Sequence, residues 1–75
     1  MKFEDVFKES FNVGQSELKD DVKLISFAEW DSLTHMFFIT KLEEAYEIEL
    51  TGDEIVDMQT VGDVKKVIAS KGKAL

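Results

Sequence analysis

Asp31, Ser32 and His35 lie close together in this 75-residue chain and have the clearest potential for chemistry. A serine hydroxyl can attack a substrate or accept a covalent group, and a nearby histidine can act as a base. The chain has only one histidine, however, and its residues suggest no catalytic triad around it. One histidine among scattered carboxylates is also a poor ligand set for a transition metal. We therefore predict no catalytic residue and no metal site, and expect His35 to be partly buried at the edge of the core.

Asp31 and Ser32 also open a strong helical pattern that continues to Tyr46. Side-chain oxygens at a helix N-terminus accept hydrogen bonds from unpaired N–H groups and face the positive end of the helix dipole. Capping is therefore the simplest interpretation of the tripeptide Asp31-Ser32-Leu33. Three common residues alone are weak evidence for any further function.

Length and composition restrict the possible classes of protein. A chain of 75 residues forms one domain, residues 1–75, which buries only about 60% of its unfolded surface. The absence of cysteine excludes disulfides, thiolate zinc sites and a cysteine nucleophile. No apolar run approaches the ~20 residues that span a membrane. The N-terminal segment from Met1 to Asp5 is too charged for a signal peptide, so we infer a cytoplasmic protein.

The net charge of −7 is unevenly distributed. Residues 1–60 contain five lysines and fifteen acids, giving −10, whereas residues 61–75 contain four lysines and one acid, giving +3. An acidic surface repels nucleic acid and anionic lipid, so we expect neither as a partner. It suits a protein partner with a basic patch, and we expect the chain itself to be a monomer.

Hydrophobic spacing predicts an all-α four-helix bundle with a long first loop and a short third helix. The first helix covers residues 2–11 and the second covers residues 32–46. The loop over residues 12–30 should contain a short helical turn near residues 16–20. Its apolar side chains are expected to point inward, namely Leu18, Val22, Leu24, Ile25, Phe27 and Trp30.

Capping signals predict the last two helices. Thr51 and Glu54 have the spacing of a capping box, which should start a third helix ending near Met58. Thr60 should begin the fourth helix in a similar way. Its apolar stripe is formed by Val61, Val64, Val67 and Ile68. Ile48 and Leu50 should point inward from the connector before the third helix.

The second helix has apolar residues on two faces. At ~100° per residue, one face is a core stripe formed by His35, Phe38, Ile39, Leu42 and Tyr46. The opposite face carries Leu33, Phe37, Lys41 and Glu44, with Met36 and Thr40 beside them. An apolar cluster next to Ser32 indicates either a partner contact surface or a surface covered by the long loop; both interpretations remain open.

From Trp30 to Ile68 the chain resembles the acyl carrier protein family. The family pattern begins with Asp-Ser-Leu and a helix ending in acidic residues and an aromatic, followed by a hydrophobic-Glu-hydrophobic tripeptide. A short acidic helix and a last helix led by Thr-Val complete it. The matching segments are Asp31-Ser32-Leu33, Leu42-Glu43-Glu44-Ala45-Tyr46, Ile48-Glu49-Leu50, Gly52-Asp53-Glu54-Ile55 and Thr60-Val61-Gly62-Asp63-Val64.

The resemblance implies a non-catalytic carrier. A phosphopantetheinyl transferase would attach 4′-phosphopantetheine from coenzyme A to Ser32, and Asp31 would help orient the metal and coenzyme A in that enzyme. The thiol of the arm would carry acyl intermediates as thioesters to acyl-transferring or acyl-activating enzymes of fatty acid, polyketide or other specialised metabolism. We expect the partner surface to comprise Leu33, Met36, Phe37, Thr40, Lys41, Glu43, Glu44 and Glu47.

Departures from the family pattern indicate a specialised, stand-alone carrier with dedicated partners. Thr34 and Phe37 occupy positions that are usually acidic, Lys41 adds a positive charge, and Trp30 replaces a commonly small residue. Partner contact at the start of the second helix is therefore expected to be more apolar. Two alternatives remain: an aminoacyl or peptidyl carrier that uses the same serine, and an acidic helical adaptor without a prosthetic group.

Overall fold

The computed structural model describes residues 2–75; Met1, in the N-terminal segment considered above, lies outside them. Four α-helices are present: α1 (Phe3–Phe11), α2 (Ser32–Tyr46), α3 (Gly52–Asp57) and α4 (Val61–Ser70). Two 3₁₀ turns, Gln15–Glu17 and Leu24–Ser26, lie in the long loop. The described residues form no strand. The predicted all-α four-helix architecture, with its long first loop and short third helix, is confirmed.

Packed phenylalanines fix the position of α2 against α1. The ring centroids of Phe7 and Phe38 are 4.8 Å apart, and those of Phe11 and Phe38 are 5.3 Å apart. Phe27 of the long loop lies 5.3 Å from Phe11. All four rings are buried, and tilted aromatic pairs at these distances contribute stability beyond their buried area. The predicted core residues Phe38, Ile39 and Leu42 of α2 are buried as expected.

Backbone hydrogen bonds hold the long loop against the start of α4. The N–H groups of Val61 and Gly62 donate to the carbonyls of Val22 and Asp20 at 3.0 and 2.9 Å. The first N–H groups of a helix have no partner within it, so the loop satisfies them. A Cβ at Gly62 would lie 3.0 Å from the carbonyl oxygen of Asp20. Glycine therefore permits the close approach of loop and helix.

The long loop differs from the prediction in two respects. Its first helical turn covers Gln15–Glu17 instead of residues near 16–20, and the turn Leu24–Ser26 was not predicted. Ile25, expected to point inward, is 63% exposed, and that prediction is wrong. The N–H of Leu24 donates to the carbonyl of Gln59 at 2.9 Å, and the 3₁₀ turn buries Leu24. Because adjacent residues of the turn point in different directions, Ile25 faces outward.

None of the described helices is long and apolar enough to cross a membrane.

Candidate functional site

Reciprocal hydrogen bonds define the start of α2. Asp31 Oδ1 accepts a hydrogen bond from the backbone N–H of Thr34 at 2.8 Å, and the backbone N–H of Asp31 donates to Thr34 Oγ1 at 2.7 Å. The Thr34 hydroxyl also lies 3.1 Å from the carbonyl of Glu29, to which it can donate. This is a capping box in which threonine takes the position usually held by glutamate or glutamine. The predicted capping role of Asp31 is confirmed.

Asp31 is an anion at neutral pH. The backbone N–H and then the side chain of Thr34 stabilise its carboxylate by hydrogen bonding, with a smaller contribution from the N–H of Leu33. These bonds lower the pKa of Asp31 below its usual value because they favour the charged form. The side chain that fixes the backbone before Ser32 thus also places a negative charge beside it.

Ser32 is the first residue of the 15-residue helix α2 and is exposed. Its hydroxyl makes no hydrogen bond to any of residues 2–75. The N-terminus of a helix favours an anion through its unpaired N–H groups and the helix dipole. The exposed hydroxyl at this position leaves room for a covalently attached phosphodiester, and the N-terminus of α2 favours the negative charge of that group.

The only tryptophan and the only histidine of the chain form a pair beside Ser32. Trp30 Nε1–H donates a hydrogen bond to His35 Nδ1 at 3.2 Å. The His35 ring also lies against Phe38, with centroids 6.5 Å apart. His35 is half-buried, as predicted, and burial lowers its pKa below the ordinary value of 6.5. Trp30 departs from the family pattern in the sequence, but no feature of the sequence predicted its contact with His35.

A cavity of about 310 Å³ opens next to this pair, between the turn Leu24–Ser26 and α3. Helix α2 contributes only His35 to its wall. The remaining lining is mainly apolar and comprises Leu24, Ile25, Ile55, Val56 and Met58, with Lys23 and Gln59 as further polar residues.

Three large apolar side chains beside Ser32 form an apolar patch: Leu33, Met36 and Phe37, which are 82%, 56% and 44% exposed. The Lys41 ammonium lies 5.4 Å from the centroid of the Phe37 ring, within the range of a cation–π contact. The interpretation in which the long loop covers these residues is therefore wrong. The patch is open to solvent in the described part of the chain.

The other predicted partner residues continue along α2. Thr40 and Glu44 are exposed, and Glu47, also exposed, ends the helix with a left-handed φ of 54°. Glu43 is half-buried, and its Oε2 accepts a hydrogen bond from the N–H of Leu50 at 2.8 Å. Glu43 therefore fixes the connector after α2, a structural role that the sequence did not reveal. Within residues 2–75, no three histidine or acidic side chains are placed to hold a metal ion.

Comparison with known proteins finds several relatives that are acyl carrier proteins. A scan against models of protein families finds no match. The chain is 36% identical over 64 residues to an acyl carrier protein from Sulfurovum sp., covering 85% of each chain. It is 34% identical over 64 residues to an acyl carrier protein from Wolinella succinogenes, covering 85% of this chain and 84% of the relative.

A solved structure agrees with these relatives. The solution NMR structure of a holo acyl carrier protein from Geobacter metallireducens is 30% identical to this chain and superimposes with a TM-score of 0.73. The match covers 91% of this chain and 83% of that protein. The 36% sequence identity to the Sulfurovum relative extends over most of both chains, and the fold is shared with the Geobacter protein. Both findings agree with the Asp31-Ser32-Leu33 motif at the start of α2. The chain therefore belongs to the acyl carrier protein family.

Proposed function

We propose that this chain carries acyl intermediates on a 4′-phosphopantetheine group attached to Ser32 Oγ. The observation that supports this most directly is the exposed hydroxyl of Ser32, which makes no hydrogen bond within residues 2–75. It occupies the first position of α2, directly after the capping Asp31. A transferase can reach such an oxygen without unfolding any part of the bundle.

The residues around Ser32 fit the phosphodiester of this group. Helix α2 presents its N-terminal N–H groups there, and the bonds from Asp31 to Thr34 hold the preceding backbone in place. When attached, the group supplies a thiol, which the cysteine-free chain lacks, and this thiol holds the acyl group as a thioester. The chain itself orients the attachment point and performs no catalysis.

The first partner of the apo protein is a phosphopantetheinyl transferase. The carboxylate of Asp31, ionised at neutral pH, is adjacent to the attachment point and would help to orient the divalent metal and coenzyme A bound by that enzyme. After attachment, the partners are acyl-transferring or acyl-activating enzymes of fatty acid, polyketide or other specialised metabolism.

The apolar patch supports dedicated partners with a less electrostatic contact. Its residues Leu33, Met36 and Phe37 surround the attachment point, whereas the exposed acids Glu44 and Glu47 lie at the far end of α2. A partner would therefore place an apolar surface near Ser32 and a basic surface near the end of the helix. Apolar and charged contacts separated in this way favour a specific partner over a generally basic one.

Intact-mass measurement tests the attachment. Incubation with coenzyme A and a promiscuous phosphopantetheinyl transferase should add ~340 Da, the mass of the arm. The variant Ser32→Ala should gain nothing, whereas Ser16→Ala, at an exposed serine of the loop, should gain the full mass. An unchanged mass of the wild type, or modification of Ser32→Ala, would contradict the proposal.

A further inference from the structure

Two side-chain hydrogen bonds connect the end of the long loop to the first turn of α2, and Ser32 lies between their ends. Trp30 Nε1–H donates to His35 Nδ1 at 3.2 Å. One residue earlier at each end, the Thr34 hydroxyl lies 3.1 Å from the carbonyl oxygen of Glu29. Each bond joins residues five positions apart, so the backbone forms two closed loops that both contain Ser32.

The Trp30 end of this arrangement is anchored to the core. Its backbone N–H donates to the carbonyl of Phe27 at 3.0 Å, and its half-buried ring packs against the core cluster. The ring of Phe27 is buried and lies 6.2 Å from that of Phe7 and 5.3 Å from that of Phe11. Trp30 therefore holds the start of α2 to a fixed part of the bundle, whereas the hydroxyl of Ser32 makes no hydrogen bond within residues 2–75.

The indole and the imidazole satisfy each other's polar groups. The indole N–H can only donate, so Nδ1 of the neutral His35 ring is the acceptor, and the proton of that ring is on Nε2. The two rings meet edge to face at 62°, with centroids 6.0 Å apart. A hydrogen bond is directional, whereas apolar packing is not. The pair therefore fixes the orientation of the first turn of α2 relative to Trp30, and not only its distance.

The proposed reaction depends on the orientation of the Ser32 hydroxyl. Oγ attacks the phosphorus of coenzyme A that carries pantetheine, and a new O–P bond forms. The bond from this phosphorus to the bridging oxygen breaks, adenosine 3′,5′-bisphosphate leaves with the electron pair, and the hydroxyl proton passes to a base of the transferase. Attack must come from the side opposite the leaving oxygen, so a misdirected Oγ slows the step.

We propose that Trp30 and His35 are positioning residues for the modification of Ser32. Their hydrogen bond sets the direction in which Oγ faces the bound coenzyme A. It therefore affects the rate of the transfer step more than the affinity of the transferase for this chain. In this role both side chains act through the backbone of residues 31–34 and do not contact the reacting atoms. The role rests on the proposed function, because it requires that a transferase modify Ser32.

Four variants separate positioning from general stability. Trp30→Phe and His35→Leu each remove the hydrogen bond and keep an apolar side chain in place. His35→Asn is the conservative substitution, because its Oδ1 takes the position of Nδ1 and accepts a hydrogen bond. Ile68→Val, at a buried position of α4, lowers stability without altering either side chain of the pair, so it is the control. Circular dichroism establishes that each variant is folded at the temperature of the assay.

Single-turnover reactions with coenzyme A and a promiscuous phosphopantetheinyl transferase measure the transfer step itself. The rate constant at saturating transferase and the half-saturating concentration separate chemistry from binding. We expect Trp30→Phe and His35→Leu to lower the rate constant about ten-fold, and to change the half-saturating concentration by less than about two-fold. The double variant should be no slower than either single variant, because both remove the same interaction. His35→Asn should recover most of the rate, and Ile68→Val should retain all of it.

Nuclear magnetic resonance relaxation of the apo protein measures the positioning without a transferase. The chain has one tryptophan, so its indole N–H signal belongs to Trp30 and reports the bond to His35. In the wild type, the order parameter of the Ser32 backbone N–H should equal the value of about 0.85 for rigid backbone. We expect it to fall in Trp30→Phe and His35→Leu, and to stay at the wild-type value in His35→Asn and Ile68→Val.

The outcomes distinguish the positioning role from the proposed function. Wild-type rate constants in Trp30→Phe and His35→Leu would contradict the positioning role while leaving the carrier function intact. An equal loss of rate in Ile68→Val would also contradict it, because general stability would then explain the effect. The same holds if His35→Asn is as slow as His35→Leu, or if the order parameter of Ser32 is unchanged in Trp30→Phe. If no mass is added to the wild type, the carrier function and the positioning role are both wrong.

Discussion

The indole N–H of Trp30 donates a hydrogen bond to Nδ1 of His35 at 3.2 Å, which links the residue before the helix cap to the first turn of α2. The bond extends across Asp31 and Ser32, so the proposed attachment point lies within a segment fixed at both ends. Thr34 adds a second link through its bonds to Asp31. Ser32 is therefore exposed at a fixed backbone position, which suits the proposed reaction with a modifying enzyme because that reaction needs a defined orientation of the hydroxyl.

The Trp30–His35 pair should make stability depend on pH. Burial lowers the pKa of His35 in the folded state below its ordinary value of 6.5, and a proton on Nδ1 would remove the acceptor for Trp30. The unfolded chain therefore binds this proton at a higher pH than the folded chain does. The contribution of neutral His35 to the free energy of unfolding is then fully present above about pH 6.5. That contribution should be lost as the pH falls from there through the lower folded pKa.

Urea unfolding between pH 7.5 and pH 5.5 measures this effect, and His35→Gln is the matched variant because it does not titrate. We expect the free energy of unfolding of the wild type to fall more over this range than that of the variant. Trp30 fluorescence should change over the same range, since it is the only tryptophan. If the free energy of unfolding depends on pH identically in the two proteins, the titration of His35 does not contribute to stability.

The cap and the charge of Asp31 can be separated. Asp31→Asn retains the capping oxygen, so its free energy of unfolding should stay close to that of the wild type, whereas Asp31→Ala should be less stable. Both variants should be modified more slowly by the transferase, because both lack the anion beside Ser32. A wild-type rate of modification in Asp31→Asn would show that the carboxylate serves only as a cap.

Ser10 is a buried polar residue of α1, and replacing it with an apolar residue should stabilise the fold. Its side chain is 6% exposed, and its Oγ makes no hydrogen bond within the described residues. A buried polar group without a partner destabilises the folded state, so Ser10→Ala should raise the free energy of unfolding by about 1 kcal/mol. The exposed control Ser16→Ala should change it by less than about 0.5 kcal/mol. Destabilisation by Ser10→Ala would indicate that the hydroxyl is hydrogen-bonded, for example to water.

The apolar patch should determine which enzymes accept the carrier. Phe37→Glu introduces the acid that the family usually has at this position. It should lower the rate of acyl transfer with enzymes encoded beside this protein and raise it with a housekeeping acyl transferase. Ser16→Glu adds the same charge on the loop and should change neither rate. Equal wild-type rates with both sets of enzymes would contradict the specialised role.

Loading assays decide the class of cargo. The proposed function predicts that acyl donors load the holo protein and aminoacyl donors do not, with each tested by its own activating enzyme. The reverse result would identify an aminoacyl or peptidyl carrier on the same serine.

The bounds of α2 were predictable from the sequence because several local signals agree. Asp31 supplies a cap, and the apolar residues from Phe38 to Leu42 repeat with helical spacing and are buried. Thr51 and Thr60 likewise cap α3 and α4 through bonds to residues three positions later. Interactions within one turn of a helix depend on few other residues, so their residue types suffice to predict them.

Contacts that depend on the path of the long loop could not be predicted in this way. The bond from Trp30 to His35 and the outward position of Ile25 both follow from where the loop is fixed against α4 and Gln59. The bond from Leu50 N–H to Glu43 depends on the connector after α2. The sequence therefore predicted the helix that carries Ser32, whereas the cavity beside it became visible only in the structure.

The mass of the protein isolated from its own host, followed by fragmentation of the peptide that contains Ser32, tests the central claim most directly. We predict 4′-phosphopantetheine on Ser32, with any bound acyl group visible as additional mass on the arm. An unmodified Ser32 in the host protein that also resists modification by coenzyme A and a promiscuous transferase would contradict the claim.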